Sequence, residues 1–238
     1  MEADRTMNAA RTGRPRKLTE ADIAEAVLAE GFAGLTVPAV AQRLGVSTMT
    51  LYRYTPTRAG LLALTWDHVL DKTTWPPVTG HWREILHRHA TTLWDLLATH
   101  PGAVTELSGA VVPPRMMGLY DDLALALTEQ GFTADQAVLA VDTTIDLTID
   151  HRRGVEDLSR REDAASADTR EQLEALWTPR PEDPPGRAGV RAAMREAIAT
   201  LPRDWFTRKL ELVLDGLTTR RIAAADPRQG TSEGEDTP

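Results

Sequence analysis

The chain has 238 residues, 42% of them hydrophobic, a formal net charge of −8 and no cysteine. That length holds a small domain and a larger one. Disulfide and thiol chemistry are excluded, no apolar run reaches the roughly 18 residues of a membrane span, and the polar N-terminus lacks a signal-peptide core, so a cytoplasmic location is expected. The charge is uneven. Up to residue 70 there are eight Lys/Arg against seven Asp/Glu, so the negative excess lies beyond. A mildly basic head on an acidic body can hold phosphates locally while the body resists nonspecific adhesion.

Residues 1–17 read as a disordered arm with a basic end, Arg14-Pro15-Arg16-Lys17. Arg14 and Arg16 either enter a narrow minor groove or belong to an ordinary polar tail; the sequence leaves both readings open. A first helix is expected from Thr19 to Phe32, opened by a capping box with Asp22 and stopped by Gly31. Thr36 is a candidate N-cap for a second helix, with Val37, Val40, Ala41 and Leu44 at helical spacing and Gly45 as its stop. Ser47 caps a third, on which Thr48, Met49, Thr50, Tyr52, Arg53 and Tyr54 crowd together and Leu51 is read as core. Two helices joined by a glycine turn form a helix-turn-helix, whose second helix enters the major groove. Arg53 can reach guanine edges or phosphate, Thr48 and Thr50 either, and Met49 a thymine methyl. Thr55-Pro56 is expected to open a fourth helix that runs to about Asp71.

Trp75-Pro76-Pro77 marks the domain boundary. A long helix is then expected from about Thr79 to Thr99, with Trp82, Ile85, Leu86, Leu93, Leu96 and Leu97 on its apolar face and His89 on the same side. Pro101 and Pro113-Pro114 bracket a short helix or loop. Further helices are expected from Pro114 to Gln130 and from a Thr133 cap toward Arg161. Residues 162–187 read as a long mobile loop, followed by helices over 188–200 and 203–222 and a disordered tail from Asp226. On the last helix Phe206, Leu210, Val213, Leu214 and Leu217 form one apolar face, and Trp205 and Leu212 a second on the opposite side. Two apolar faces imply that this helix packs on its own core and on a partner, so a homodimer is expected through it and the long helix before the loop.

The stretch Leu44-Gly-Val-Ser-Thr-Met-Thr-Leu-Tyr-Arg-Tyr-Thr-Pro-Thr-Arg-Ala-Gly-Leu-Leu62 resembles the signature of the TetR family of bacterial transcriptional repressors, over roughly residues 18 to 70. Trp82 with Ala90, and Gly131-Phe132-Thr133 opening a long helix, resemble more weakly the ligand-binding half of the tetracycline-repressor branch. The resemblance implies that Tyr52 and Tyr54 lie against phosphates or bases and that Arg58 stands at the position of a phosphate-binding lysine; Tyr52 as a packing residue is the alternative. Pro38 replaces a base-reading arginine, so a different operator is expected. His89 corresponds to a drug-contacting asparagine, with a core histidine as the alternative. Leu107 and Gly154 fall at the metal-linked positions, which argues against a magnesium–tetracycline inducer.

The remaining constellations are open. Asp142, Asp146 and Asp150 recur every four residues, as a solvated edge, as an acidic pocket wall or as partners for basic groups across a dimer. Met116 and Met117 fill core or line a pocket, since thioethers adapt to varied shapes. His89, Leu93, Leu107, Met116, Tyr120, Asp142 and Asp146 are the candidate ligand residues; Arg14, Arg16, Thr36, Ser47, Thr48, Met49, Thr50, Tyr52, Arg53, Tyr54 and Arg58 are the candidate DNA contacts. There is no nucleophile elbow, glycine-rich phosphate loop or zinc-type histidine spacing, so no enzyme, cofactor or metal is expected. The expected architecture is all-α: arm 1–17, helix-turn-helix head 18–72, ligand-binding and dimerisation domain 73–225, tail 226–238. The expected function is a repressor that binds a palindromic double-stranded operator as a homodimer and is released by a small-molecule inducer, with no membrane partner. A constitutive architectural DNA-binding protein is the alternative.

Overall fold

The structure, a computed structural model, describes residues 17–107, 113–160 and 168–225. Among them there are eleven α-helices and no strand: α1 Glu20–Glu30, α2 Val37–Arg43, α3 Thr48–Tyr52, α4 Arg58–Lys72, α5 Trp82–Ala98, α6 Ala103–Leu107, α7 Pro114–Thr128, α8 Ala134–Leu158, α9 Thr169–Leu176, α10 Pro185–Ala199 and α11 Pro202–Ala225. No helix among the described residues is long and apolar enough to cross a membrane. The expected arm with Arg14 and Arg16, and the expected tail, lie outside the described residues.

Local chemistry sets the head. The capping box closes on α1: the Thr19 hydroxyl accepts from the Asp22 N–H and the Asp22 carboxylate from the Thr19 N–H, at 3.1 and 3.0 Å. At the end of α2 the Gly45 N–H donates to the Gln42 carbonyl and the Val46 N–H to the Ala41 carbonyl. This pair of bonds needs a left-handed residue between them, and Gly45 has φ +67°. The chain thereby turns sharply enough for Ser47, four residues after α2 ends, to cap α3. Ile23, Val27, Val40, Leu51 and Leu61 are fully buried in the core between α1, α2, α3 and α4, each contributing about 1.5–3 kcal/mol of burial.

Two expected boundaries shift. α4 begins at Arg58, with Thr57 as its N-cap accepting from the Gly60 N–H at 3.0 Å, so Pro56 precedes the helix rather than opening it. Thr55, the other cap candidate, is buried. The 162–187 segment is not a loop throughout: α9 occupies its middle, capped by Asp168, whose carboxylate accepts from the Glu171 N–H, and α10 starts at Pro185. α9 buries no residue, although Leu173, Leu176 and Trp177 stand at helical spacing.

In the body α8 packs against α5, α7 and α11. Thr133 and Gln136 form its capping box. Buried Thr144 and Thr148 donate their hydroxyls to the carbonyls four residues back, which satisfies them inside an apolar contact. An aromatic cluster joins head to body: Trp66 of α4 stacks on Phe32 from the α1–α2 turn at 5.6 Å, and His100 after α5 meets both edge-on at 5.9 and 6.1 Å. Gly102, at φ +82°, lies so close to that turn that a Cβ would stand 3.1 Å from the Ala33 nitrogen. Its own N–H donates to Glu156 of α8 at 3.0 Å.

Candidate nucleic-acid interface and ligand groove

α3 is five residues long and buries only Leu51. Ser47 accepts from the Thr50 N–H at 3.1 Å, and the two hydroxyls lie 3.0 Å apart, so Ser47 and Thr50 hold each other at the helix entrance. Thr36 likewise caps α2 by accepting from the Ala39 N–H. Thr48, Met49, Tyr52 and Arg53 are exposed, and their side chains have no hydrogen-bond partner among the described residues. At 100° per residue they span an arc of about 140°, opposite Leu51. A short helix anchored by one buried leucine and the Ser47 cap thus offers four side chains of mixed chemistry on one side.

Tyr54 and Arg58 are engaged within the head. The Tyr54 hydroxyl donates to the Leu18 carbonyl at 2.9 Å, tying the end of the recognition segment to the start of α1. Arg58 Nε donates to the Leu35 carbonyl at 3.1 Å, ahead of α2. Both residues hold the frame from which the four exposed side chains project. Only these long-range bonds, spanning 36 and 23 residues, distinguish them from surface groups, and no local signal carries that information.

The candidate ligand residues separate into two places. Met116, Tyr120, Asp142 and Asp146 line an open groove of about 530 Å³ between α7 and α8. Its walls are two helical stripes: Pro113, Met116, Met117, Tyr120, Asp121 and Ala124 face Val138, Val141, Asp142, Ile145, Asp146 and Ile149. Burial, with the Asp142 and Asp146 carboxylates close by, pushes the Tyr120 phenol up to about 12. Asp146 is raised above the usual carboxylate range by burial and by Asp142 and Asp150.

His89 and Leu93 instead line a closed void of about 10 Å³ between α5, α7 and α8, with Val141 and Ile145 shared between void and groove. His89 is 3% exposed and its Nδ1 lies 2.8 Å from the Ile85 carbonyl. That carbonyl can only accept, so Nδ1 carries the proton. Burial lowers the affinity of the ring for a second proton. Trp75, just after α4, stacks on the ring at 6.2 Å and donates its indole N–H to the Leu70 carbonyl. The side chain of Leu107 lies outside the described residues.

Two features escape sequence reasoning. Pro113 offers no cap to α7, and Asp67 of α4 serves instead, accepting from the Arg115 N–H at 2.8 Å while the Arg115 guanidinium pairs with Asp71. The ligand groove is thereby bolted to the head's last helix. A second cavity, of about 450 Å³, lies where α8, α10 and α11 meet, with His151, Gly154, Met194 and Trp205 on its walls. Neither could be found without the packing of distant helices. Among the described residues no three His, Asp or Glu side chains are grouped to hold a metal ion.

Comparison with known proteins agrees with this arrangement. Residues 13–58 match the helix-turn-helix domain of resolvase. The HTH-type transcriptional repressor DrrR1 of Streptomyces coeruleorubidus is 32% identical over 116 residues, a match spanning 48% of this chain and less than half, 43%, of that relative. A possible TetR family transcriptional regulator from Streptomyces coelicolor superimposes with a TM-score of 0.71 at 23% identity, covering 85% of this chain and all of the other. ActR of the same organism, in complex with actinorhodin, gives 0.69 at 22% identity over 90% of this chain and 99% of its own. A TetR variant from Acinetobacter baumannii in complex with minocycline gives 0.61 at 16% identity, over 86% and 99%. These relatives are regulators rather than enzymes. The resemblance read from residues 44–62 therefore extends to the whole architecture: the chain has the all-α fold of the TetR-family transcriptional regulators.

Proposed function

We propose that the chain is a cytoplasmic transcriptional repressor that binds a palindromic double-stranded DNA operator as a homodimer and leaves it when a small molecule binds. The exposed set Thr48, Met49, Tyr52 and Arg53 on a short helix capped by Ser47 carries the reading. These are the side-chain types that contact base edges, thymine methyls and phosphates. Dimerisation is supported by α11: Phe206, Leu210 and Leu214 are buried inward, while Leu212 is 73% exposed and Trp205 half-buried on other faces. A two-fold contact would cover those faces and set the heads about 34–36 Å apart, one turn of the duplex. Release by a ligand is supported by the α7–α8 groove, by its bolt to α4, and by two neighbours of the same fold that hold small molecules. A ligand that prefers the state with mismatched head spacing would shift the population off DNA.

The test is selection of bound duplexes from a random library, followed by anisotropy titration. A palindromic consensus whose affinity falls steeply with salt is the expected result. Failure to enrich any sequence would remove the reading. Sedimentation at micromolar concentration tests the dimer, with a lone monomer as the contrary outcome. Once an inducer is known, its release of DNA should survive a chelator, because Leu107 and Gly154, at the positions the resemblance links to metal, offer no side-chain ligand.

A further inference from the structure

Resting on the ligand-responsive reading, we infer that the α7–α8 groove takes an apolar cation: a flat, greasy body with a protonated amine. The groove is long enough for a multi-ring molecule, at about 530 Å³, and most of its wall is hydrocarbon or thioether. Met117 and Val138 on its rims are each 58% exposed, so this apolar surface lies open to water. Asp121, Asp142 and Asp146 are the charged groups among the lining residues, and all are acidic. None of the three has an ion-pair or hydrogen-bond partner among the described residues, whereas Asp150 is paired with Arg153. Asp142 and Asp146 stand four apart on one helix, where like charges repel. An arriving cation removes that repulsion and an arriving anion adds to it.

The polarity of the lining points the same way. Beside the Tyr120 hydroxyl, which can donate or accept, the three carboxylates at the rim can only accept. A ligand of N–H donors on an apolar frame satisfies them. A carboxylate or phenolate ligand would meet repulsion at each. A second copy of the chain is the competing occupant.

The experiment uses the full chain and two xanthene dyes of similar shape and opposite charge, rhodamine 6G (cationic) and fluorescein (anionic), read by fluorescence anisotropy. Rhodamine 6G should bind saturably and fluorescein should not. The Asp142→Asn/Asp146→Asn double variant should bind rhodamine 6G about tenfold more weakly. Its melting temperature should be no lower than the parent's, since a repulsive pair is removed, so misfolding cannot explain the loss. Ala124→Trp, which fills the groove and leaves all three carboxylates in the chain, should abolish binding. Equal affinity for both dyes, or full affinity in the double variant, overturns the inference. Fluorescein binding that Ala124→Trp abolishes also overturns the charge assignment, yet leaves the groove as a small-molecule site. No binding of either dye, with Ala124→Trp changing the sedimentation of the protein, assigns the groove to a second copy. Charge-dependent dye binding that never releases a selected operator duplex supports the site and instead removes the inducer role.

Discussion

Two methionines frame the contrast between the halves of the molecule. Met49 on α3 is 67% exposed and Met117 on α7 is 58% exposed. Both are thioethers left in water by helices whose other sides are well packed. Around Met49 stand Thr48, Tyr52 and Arg53, donors and a cation on a short, capped helix. Around Met117 stand Tyr120, Asp121 and, across the groove, Asp146. Exposure of an apolar group marks a surface for contact; the charges beside it set the sign of the partner. The head offers a cation for phosphates and guanine edges. The body offers carboxylates, which repel a nucleic acid and attract a cation. One acidic chain therefore holds two surfaces of opposite preference, and the net charge of −8 describes neither.

The contrast is sharpest where the halves are joined. Trp66 is 1% exposed, stacked on Phe32 of the head and edge-on to His100 of the body. Trp66→Ala should cost about 3–5 kcal/mol and lower the melting of head and body together. Its indole N–H is buried without a partner among the described residues, so Trp66→Phe, which removes that group, should cost much less. Two separate thermal transitions in the parent protein would break the idea that this cluster couples the halves. Next in size, Arg53→Ala should weaken selected-operator binding by about 1–3 kcal/mol while dye binding in the groove stays unchanged. Operator affinity unaltered by this change would take Arg53 off the reading face.

The head was legible because its signals are local. Thr19, Thr36, Ser47 and Gly45 each act within four residues of themselves, and each does in the structure what its chemistry dictates. Leu51 could be set apart as core because it falls opposite the polar arc of α3. The body was legible only as helices. Thr133 marked where α8 begins, but nothing local shows that Val141 and Ile145 divide a small void from an open groove. That depends on which neighbour packs on each side, and no window of one helix contains it. His89 and Asp146 therefore read as one site and lie in two. α9 was missed for another reason: Asp168 caps it and Leu173, Leu176 and Trp177 stand at helical spacing, but the charged, proline-ended run around them reads as loop.

Tyr54 and Arg58 test whether frame and reading face are distinct. Tyr54→Phe keeps the ring and removes only the hydroxyl that donates to Leu18. It should cost about 0.5–1.5 kcal/mol of stability, the worth of one hydrogen bond, with the same small loss for every duplex rather than for one base. Specificity that relaxes at a single operator position would instead give Tyr54 a direct base contact. For Arg58→Ala, a salt slope lower by about one unit would mark a phosphate contact made in addition to the bond with Leu35. An unchanged slope with reduced stability would confine Arg58 to the frame.

The smallest effect concerns acid. His151 sits at the α8–α11 contact, where its Nδ1 accepts from the Trp94 indole at 3.4 Å and its ring lies 5.6 Å from that of Phe206. Burial, then the positive charges of Lys209 and Arg152, lower the ring's pKa from its ordinary 6.5 to about 4. The unfolded chain therefore takes up this proton before the folded one does. The stabilisation from a neutral His151 is complete above pH 6.5 and drains away as pH falls toward 4. The ring remains partly open to solvent, which keeps the effect below that of a sealed site. Melting temperature followed from pH 7 to pH 4 should fall in the parent and fall less in His151→Gln, whose amide does not titrate. His89 and His100, lowered in the same direction by burial, leave a residual slope in that variant. Parallel profiles for parent and variant would mean that the proton is taken up elsewhere and that the α8–α11 contact is indifferent to the charge on its histidine.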